Sequence, residues 1–165
     1  MDKLDPPTSH GVFKPVGHVV ISFPTQQDLL GAEAALRELD LDGDAITAYT
    51  PQEMTQQASA DIERADALAS LGQELNLVKA HKVLAEHGYH FLIVNVADDE
   101  TAQRVADTAK GYNAERAQQY GHFIIEELIA HADDEPQVAE SPDRGLEAQT
   151  PSGLESERTR RRSPR

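Results

Sequence analysis

Seven histidines, at 10, 18, 81, 87, 90, 122 and 131, are the side chains of this chain best suited to chemistry. Imidazole is the one side chain whose ordinary pKa lies between pH 5 and 8, so it can serve as acid, base or metal ligand. There is no cysteine, which removes disulfides, thiolate nucleophiles and cysteine-ligated metals. The patterns that usually turn such residues into a site are also missing. His81 and His87 are six apart and do not share a helix face, and no HExxH or calcium-loop spacing occurs. Ser22 lacks a GxSxG elbow, and no GxGxxG or Walker loop is present. Glu126 and Glu127 are adjacent, so a strand would send them to opposite faces, not to one acid–base pair. No metal and no cofactor is expected.

Whether histidines meet depends on the elements that carry them. Tyr89–Val96, reading YHFLIVNV, is the strongest strand signal, and its continuous apolar run suits a central strand covered on both faces. Gly17–Phe23, GHVVISF, is the second, with Val19, Ile21 and Phe23 on one face and His18, Val20 and Ser22 on the other. Pro24 ends it, and Thr25 with Asp28 reads as a capping box with Asp in place of Glu, opening a helix to about Leu39. Ala45–Tyr49 suits a short edge strand. Thr50-Pro51-Gln52-Glu53 marks a helix start, with Thr50 as cap and Pro51 in the first turn, running to about Ser70. Gly72 interrupts, a further helix covers about 73–86, and Gly88 closes it in the left-handed conformation. Acidic residues 98–100 favour a helix over roughly 99–112. The last strand is expected at Tyr120–Leu128.

Arranged in order, these elements predict an α+β fold: a ferredoxin-like βαβ–(αα insertion)–βαβ plan with a four-stranded antiparallel sheet in spatial order 4-1-3-2. Residues 1–16, with Pro6, Pro7 and Pro15, read as a flexible N-terminal arm, 17–130 as the domain, and 50–88 as its helical insertion. Residues 131–165 read as a disordered tail, first acidic and then arginine-rich. In this plan His90 and His122 both open strands flanking the first one, which places them at one end of the sheet beside Ser22. The helix beginning after Thr25 presents free N–H groups at that same end, a setting for a small anion or carboxylate. Ser22, Thr25, His90 and His122 are therefore the candidate ligand-binding residues. Strands two apart lie about 9–10 Å from each other, which argues against a shared metal. Ordinary strand-end histidines bonded to backbone or water are the bland alternative.

The layout strand–helix–strand–helical insert–strand–helix–strand, with the opening HVVISFPTQQDLLGAEAALREL and the close RAQQYGHFIIEELI, resembles bacterial small α/β domains of the general-stress-protein kind over about residues 17–130. Members of that group often carry a glycine-rich insert, whereas this one is helical and alanine-rich. The resemblance implies a fold and a stress-linked, non-enzymatic role. It implies no site residues.

Charge and hydropathy narrow the partners. The net charge is −14, with nine Lys/Arg against 21 Asp/Glu in residues 1–130, and five arginines without an acid in 158–165. Arg158, Arg160, Arg161, Arg162 and Arg165 could contact a polyanion, but the tail has no aromatic for base stacking and the acidic body repels nucleic acid. No apolar run reaches the about 18 residues of a membrane span, and residues 1–17 lack a signal-peptide core, so a cytoplasmic location is expected. An apolar face of the sheet opposite the helices needs a cover, either a second copy of the chain or the folded-back insertion, and a homodimer through that face is expected. The resulting reading is a non-enzymatic binding or regulatory domain. The alternatives are a small dimeric α+β enzyme using His90 or His122, and an adaptor whose arginine-rich tail contacts a polyanion.

Overall fold

Five antiparallel strands form the sheet, in spatial order β4-β5-β3-β6-β7. These are β3 (His18–Phe23), β4 (Ile46–Tyr49), β5 (His90–Asn95), β6 (Arg116–Tyr120) and β7 (Ile125–Ile129), joined by α1 (Gln26–Arg37), α2 (Pro51–Ala65), α3 (Gln73–Glu86) and α4 (Asp99–Lys110). A two-stranded hairpin, β1 (Thr8–Ser9) and β2 (Val12–Phe13), precedes them. This computed structural model describes residues 1–9, 12–65, 73–122 and 124–130. The tail 131–165, with its five arginines at 158, 160, 161, 162 and 165, lies outside the described residues, as does the expected break at Gly72.

The two apolar ribbons lie side by side and run in opposite directions, with Val19 opposite Val94 and Phe23 opposite His90. Local chemistry explains most boundaries. Thr25 caps α1 by accepting from the Asp28 N–H at 3.1 Å. Thr50 and Glu53 close a reciprocal box on α2, at 3.2 and 2.8 Å. Asp98 caps α4 through the Thr101 N–H at 2.7 Å. Gly88 has φ +87°, the left-handed backbone that glycine adopts without a Cβ clash.

Three expectations are corrected. The fourth strand is a hairpin, so the sheet has five strands and not four. β6 begins at Arg116, the chain reverses after Tyr120, and the Gly121 N–H bonds the Ile124 carbonyl at 2.9 Å. A Cβ on Gly121 would stand 2.8 Å from that carbonyl oxygen, so the turn requires glycine. Secondly, part of the supposedly flexible arm is packed. Val12 and Phe13 are buried, Lys3 Nζ bonds both Glu53 oxygens at 2.9 Å, and the Phe13 N–H donates to Asp61 at 3.1 Å. Thirdly, the sheet face expected to seek a second copy is covered by the chain's own insertion.

Both faces are therefore covered from within. Val19, Ile21, Phe23, Leu92 and Val94 pack against Leu29, Ala32 and Leu36 of α1 and Ala102, Val105, Ala106 and Ala109 of α4. Val20, Phe91, Ile93 and Tyr120 point the other way, onto Met54 of α2 and Leu77, Leu84 and Ala85 of α3, with Phe13 and Tyr49 at the margin. None of the described helices is long and apolar enough to cross a membrane.

Candidate functional site

The strand-end site does not assemble. Ser22 pairs with Phe91 on one side and Arg116 on the other, and Phe23 pairs with His90, so Ser22 and His90 do share one end of the sheet. His122 does not. Because β6 starts at Arg116, Tyr120 pairs with His18, and His122 follows in the turn at the opposite end. There it is exposed, its carbonyl accepts from Lys14 Nζ at 3.4 Å, and it lines an open cleft of about 280 Å³ with Asp99, Gln119 and Glu126. His90 is half-buried, and burial lowers its pKa.

The α1 terminus is also unsuited to an added anion. Thr25 is exposed but committed to the cap. Its hydroxyl bonds the Asp28 carboxylate, which also accepts from Asn113 Nδ2 at 2.8 Å. The Thr25 and Asn113 hydrogen bonds hold the Asp28 pKa below its usual value. A carboxylate of the chain thus already complements the helix dipole where the ligand was expected. Ser22 belongs elsewhere: by strand alternation it faces the α2–α3 side, buried at 2 % exposure.

On that side the structure brings together residues that the sequence reading left apart. His81 stands on α3 amid Leu77, Val78, Leu84 and Ala85, and only 2 % of it is exposed. Its ring packs edge-on against Phe91, with centroids 5.8 Å apart. His81 Nε2 lies 3.1 Å from Gln118 Oε1. Gln118 Nε2 lies 3.4 Å from Glu127 Oε2, and Glu127 Oε1 accepts from Arg116 Nε at 3.1 Å. Burial drives the His81 pKa down to about 4, against an opposing contribution from the Gln118 hydrogen bond, and the Arg116 charge lowers it further. The imidazole is therefore neutral at pH 7.

Two atoms of this polar seam are buried with no hydrogen-bond partner among the described residues: Ser22 Oγ and His81 Nδ1. Tyr49 Oη, at the β4 margin, is a third. Leaving a buried polar group unpaired costs about 1–3 kcal/mol, so such atoms concentrate at weak or working parts of a fold. A signal for His81 exists in the sequence: positions 77, 78, 81, 84 and 85 lie along one helix face. No comparable signal marks Gln118, which sits in a polar run, RAQQY, that reads as a loop.

A second polar anchor lies on α2. Asp61 is fully buried and accepts from the Phe13 N–H, from Gln57 Nε2 at 3.1 and 3.2 Å, and from Arg64 at 3.3 Å. Burial raises its pKa against the pull of these bonds. Beside it, Lys3 lies 5.0 Å above the Tyr49 ring, over a cleft of about 300 Å³. Among the described residues no group of three or more His, Asp or Glu is placed to hold a metal ion. No protein-family model matches this chain, and no curated protein or solved structure matches it significantly.

Proposed function

We propose that this chain is a non-enzymatic binding or regulatory domain whose working part is the α2–α3 hairpin. The hairpin is a cover that lifts from the sheet and admits a ligand or partner to Ser22, His81 and Gln118. One observation carries this reading: Ser22 Oγ and His81 Nδ1 are sealed and unsatisfied between the hairpin and the sheet. Their cost falls on the closed state, since opening returns both atoms to water. Among the described residues, no such orphaned atom lies in the opposite layer, made of α1 and α4.

The chain order supports a ferredoxin-like plan in which the fourth strand has become the β6–β7 hairpin. The sequence pattern of residues 17–130, which resembles general-stress domains, motivates a stress-linked setting and a binding role. The enzyme alternative, using His90 or His122 at one strand-end pocket, loses that shared pocket, because the two lie at opposite ends of the sheet.

Native-state amide hydrogen exchange on the full chain tests the reading. Amides of residues 75–86 in α3 are expected to open at markedly lower free energy than those of α1 and α4, and in one cooperative step. Equal protection of the two layers, at the free energy of global unfolding, would remove the cover and with it the proposed function.

A further inference from the structure

Resting on that reading, we infer that the seam takes a small neutral molecule carrying a hydrogen-bond donor beside an acceptor, as in a primary carboxamide, held between His81 Nδ1 and Ser22 Oγ. The donor requirement follows from the hydrogen-bond chain. Gln118 points its amide nitrogen at Glu127, 3.4 Å away, because a carboxylate can only accept. Its carbonyl oxygen therefore faces His81, and Nε2 of the imidazole must carry the proton to donate across 3.1 Å. A neutral ring protonated at Nε2 leaves Nδ1 with a lone pair, so Nδ1 asks for a donor. The unpartnered Ser22 hydroxyl can supply a proton to the acceptor of the same molecule.

Register places the two atoms in one neighbourhood. Ser22 stands between Phe91 and Arg116 in the sheet, and the His81 ring packs on Phe91 and senses the Arg116 charge. Burial selects against ions of either sign. An added ion would bring an uncompensated charge beside the buried Ser22 and His81, which is costly. The Arg116–Glu127 pair, at 3.1 Å, is already matched within the chain.

The test uses the full-length protein labelled with nitrogen-15 at histidine, with acetamide as the probe and tetramethylurea, which has no N–H, as the control. In the unliganded protein the His81 ring is expected to show protonated Nε2 and bare Nδ1; the reverse tautomer would overturn the inference outright. Acetamide should move the Nδ1 resonance saturably, tetramethylurea should not, and Ser22→Ala should weaken the acetamide response about tenfold, the loss of one hydrogen bond. No response to acetamide, or equal responses to both compounds, would overturn it too. The tautomer is read in the unmodified chain, so the test survives if Ser22→Ala folds poorly. If α3 exchanges early but Nδ1 ignores acetamide, the ligand class fails while the movable cover stands; if α3 is as protected as α1, the cover itself fails.

Discussion

The two faces of the sheet are built from alternate residues of the same strands, yet they are stabilised differently. Toward α1 and α4 the strands send Val19, Ile21, Phe23, Leu92 and Val94, and the helices answer with leucine, valine and alanine. Toward α2 and α3 they send Val20, Phe91 and Ile93 as well, but also Ser22, Arg116 and Gln118, and α3 answers with His81. The first layer gains from removing apolar surface and pays little in desolvation. The second gains from the same source but carries a neutral imidazole and orphaned polar atoms. One layer is held by apolar contact, and the other mixes apolar contact with buried polar groups.

The largest expected effect comes from emptying each layer in turn. Leu36→Ala, in the apolar layer, should destabilise by about 3–5 kcal/mol, and Leu77→Ala, at the edge of the polar layer, by about 2 kcal/mol. Leu36 is fully buried and Leu77 is 9 % exposed, so truncating Leu77 leaves the smaller cavity. Urea unfolding of the full chain measures both, and a larger loss for Leu77→Ala would reverse the comparison.

Next in size is the pH response, which belongs to the polar layer. The unfolded chain protonates His81 near 6.5 and the folded one near 4, so between these values the unfolded state holds the extra proton. The contribution is fully present above pH 6.5 and is lost as pH falls toward 4, about 3 kcal/mol in all. Asp61 works in the opposite sense: its raised pKa favours the folded state at low pH, and that stability disappears as pH rises through its folded value. His81→Leu should remove the His81 slope while altering stability at pH 7 by about 1 kcal/mol or less, because it exchanges a lost hydrogen bond for apolar burial. An unchanged slope in that variant would assign the titration to another group.

The hairpin that supplies Gln118 and Glu127 is the next lever. Gly121→Ala pushes a methyl against the Ile124 carbonyl oxygen at 2.8 Å and should cost about 1–3 kcal/mol. It should also broaden or shift the His81 ring signals, since the turn sets the register of β6 on β7. Stability loss without any change at His81 would separate the turn from the seam. Smallest is Thr50→Ala, which opens the capping box on α2 and should cost about 1 kcal/mol, with faster exchange confined to α2 and α3. Exchange that rises equally in α1 and α4 would show that the cover does not move by itself.

Much of the frame was legible in the residues. The pairing of Gly17–Phe23 with Tyr89–Val96, the caps at Thr25, Thr50 and Asp98 and the left-handed Gly88 all depend on chemistry within a few residues or on the period of side-chain alternation. The last strand was misread for the same kind of reason. Apolar Phe123 to Ile125 drew the strand across Gly121-His122, and the true β6 was hidden because its Arg116 and Gln118 are buried by polar pairing, which no hydrophobic pattern announces. That shift of four residues moved His122 from one end of the sheet to the other and dissolved the expected site.

Spacing and composition, then, determined by themselves that this chain makes α-helices and an antiparallel sheet with its two most apolar strands at the centre, because local propensity and alternation act over distances the chain shows directly. Only the tertiary structure decided which helices cover which face, that a turn at Gly121 makes two strands of one, and that His81, Gln118 and Ser22 lie in one seam. The turn is local but is marked by no apolar pattern, and the seam depends on distant contacts, His81 with Gln118 at 37 positions and Ser22 with Arg116 at 94, where the order of the chain carries no spacing to read.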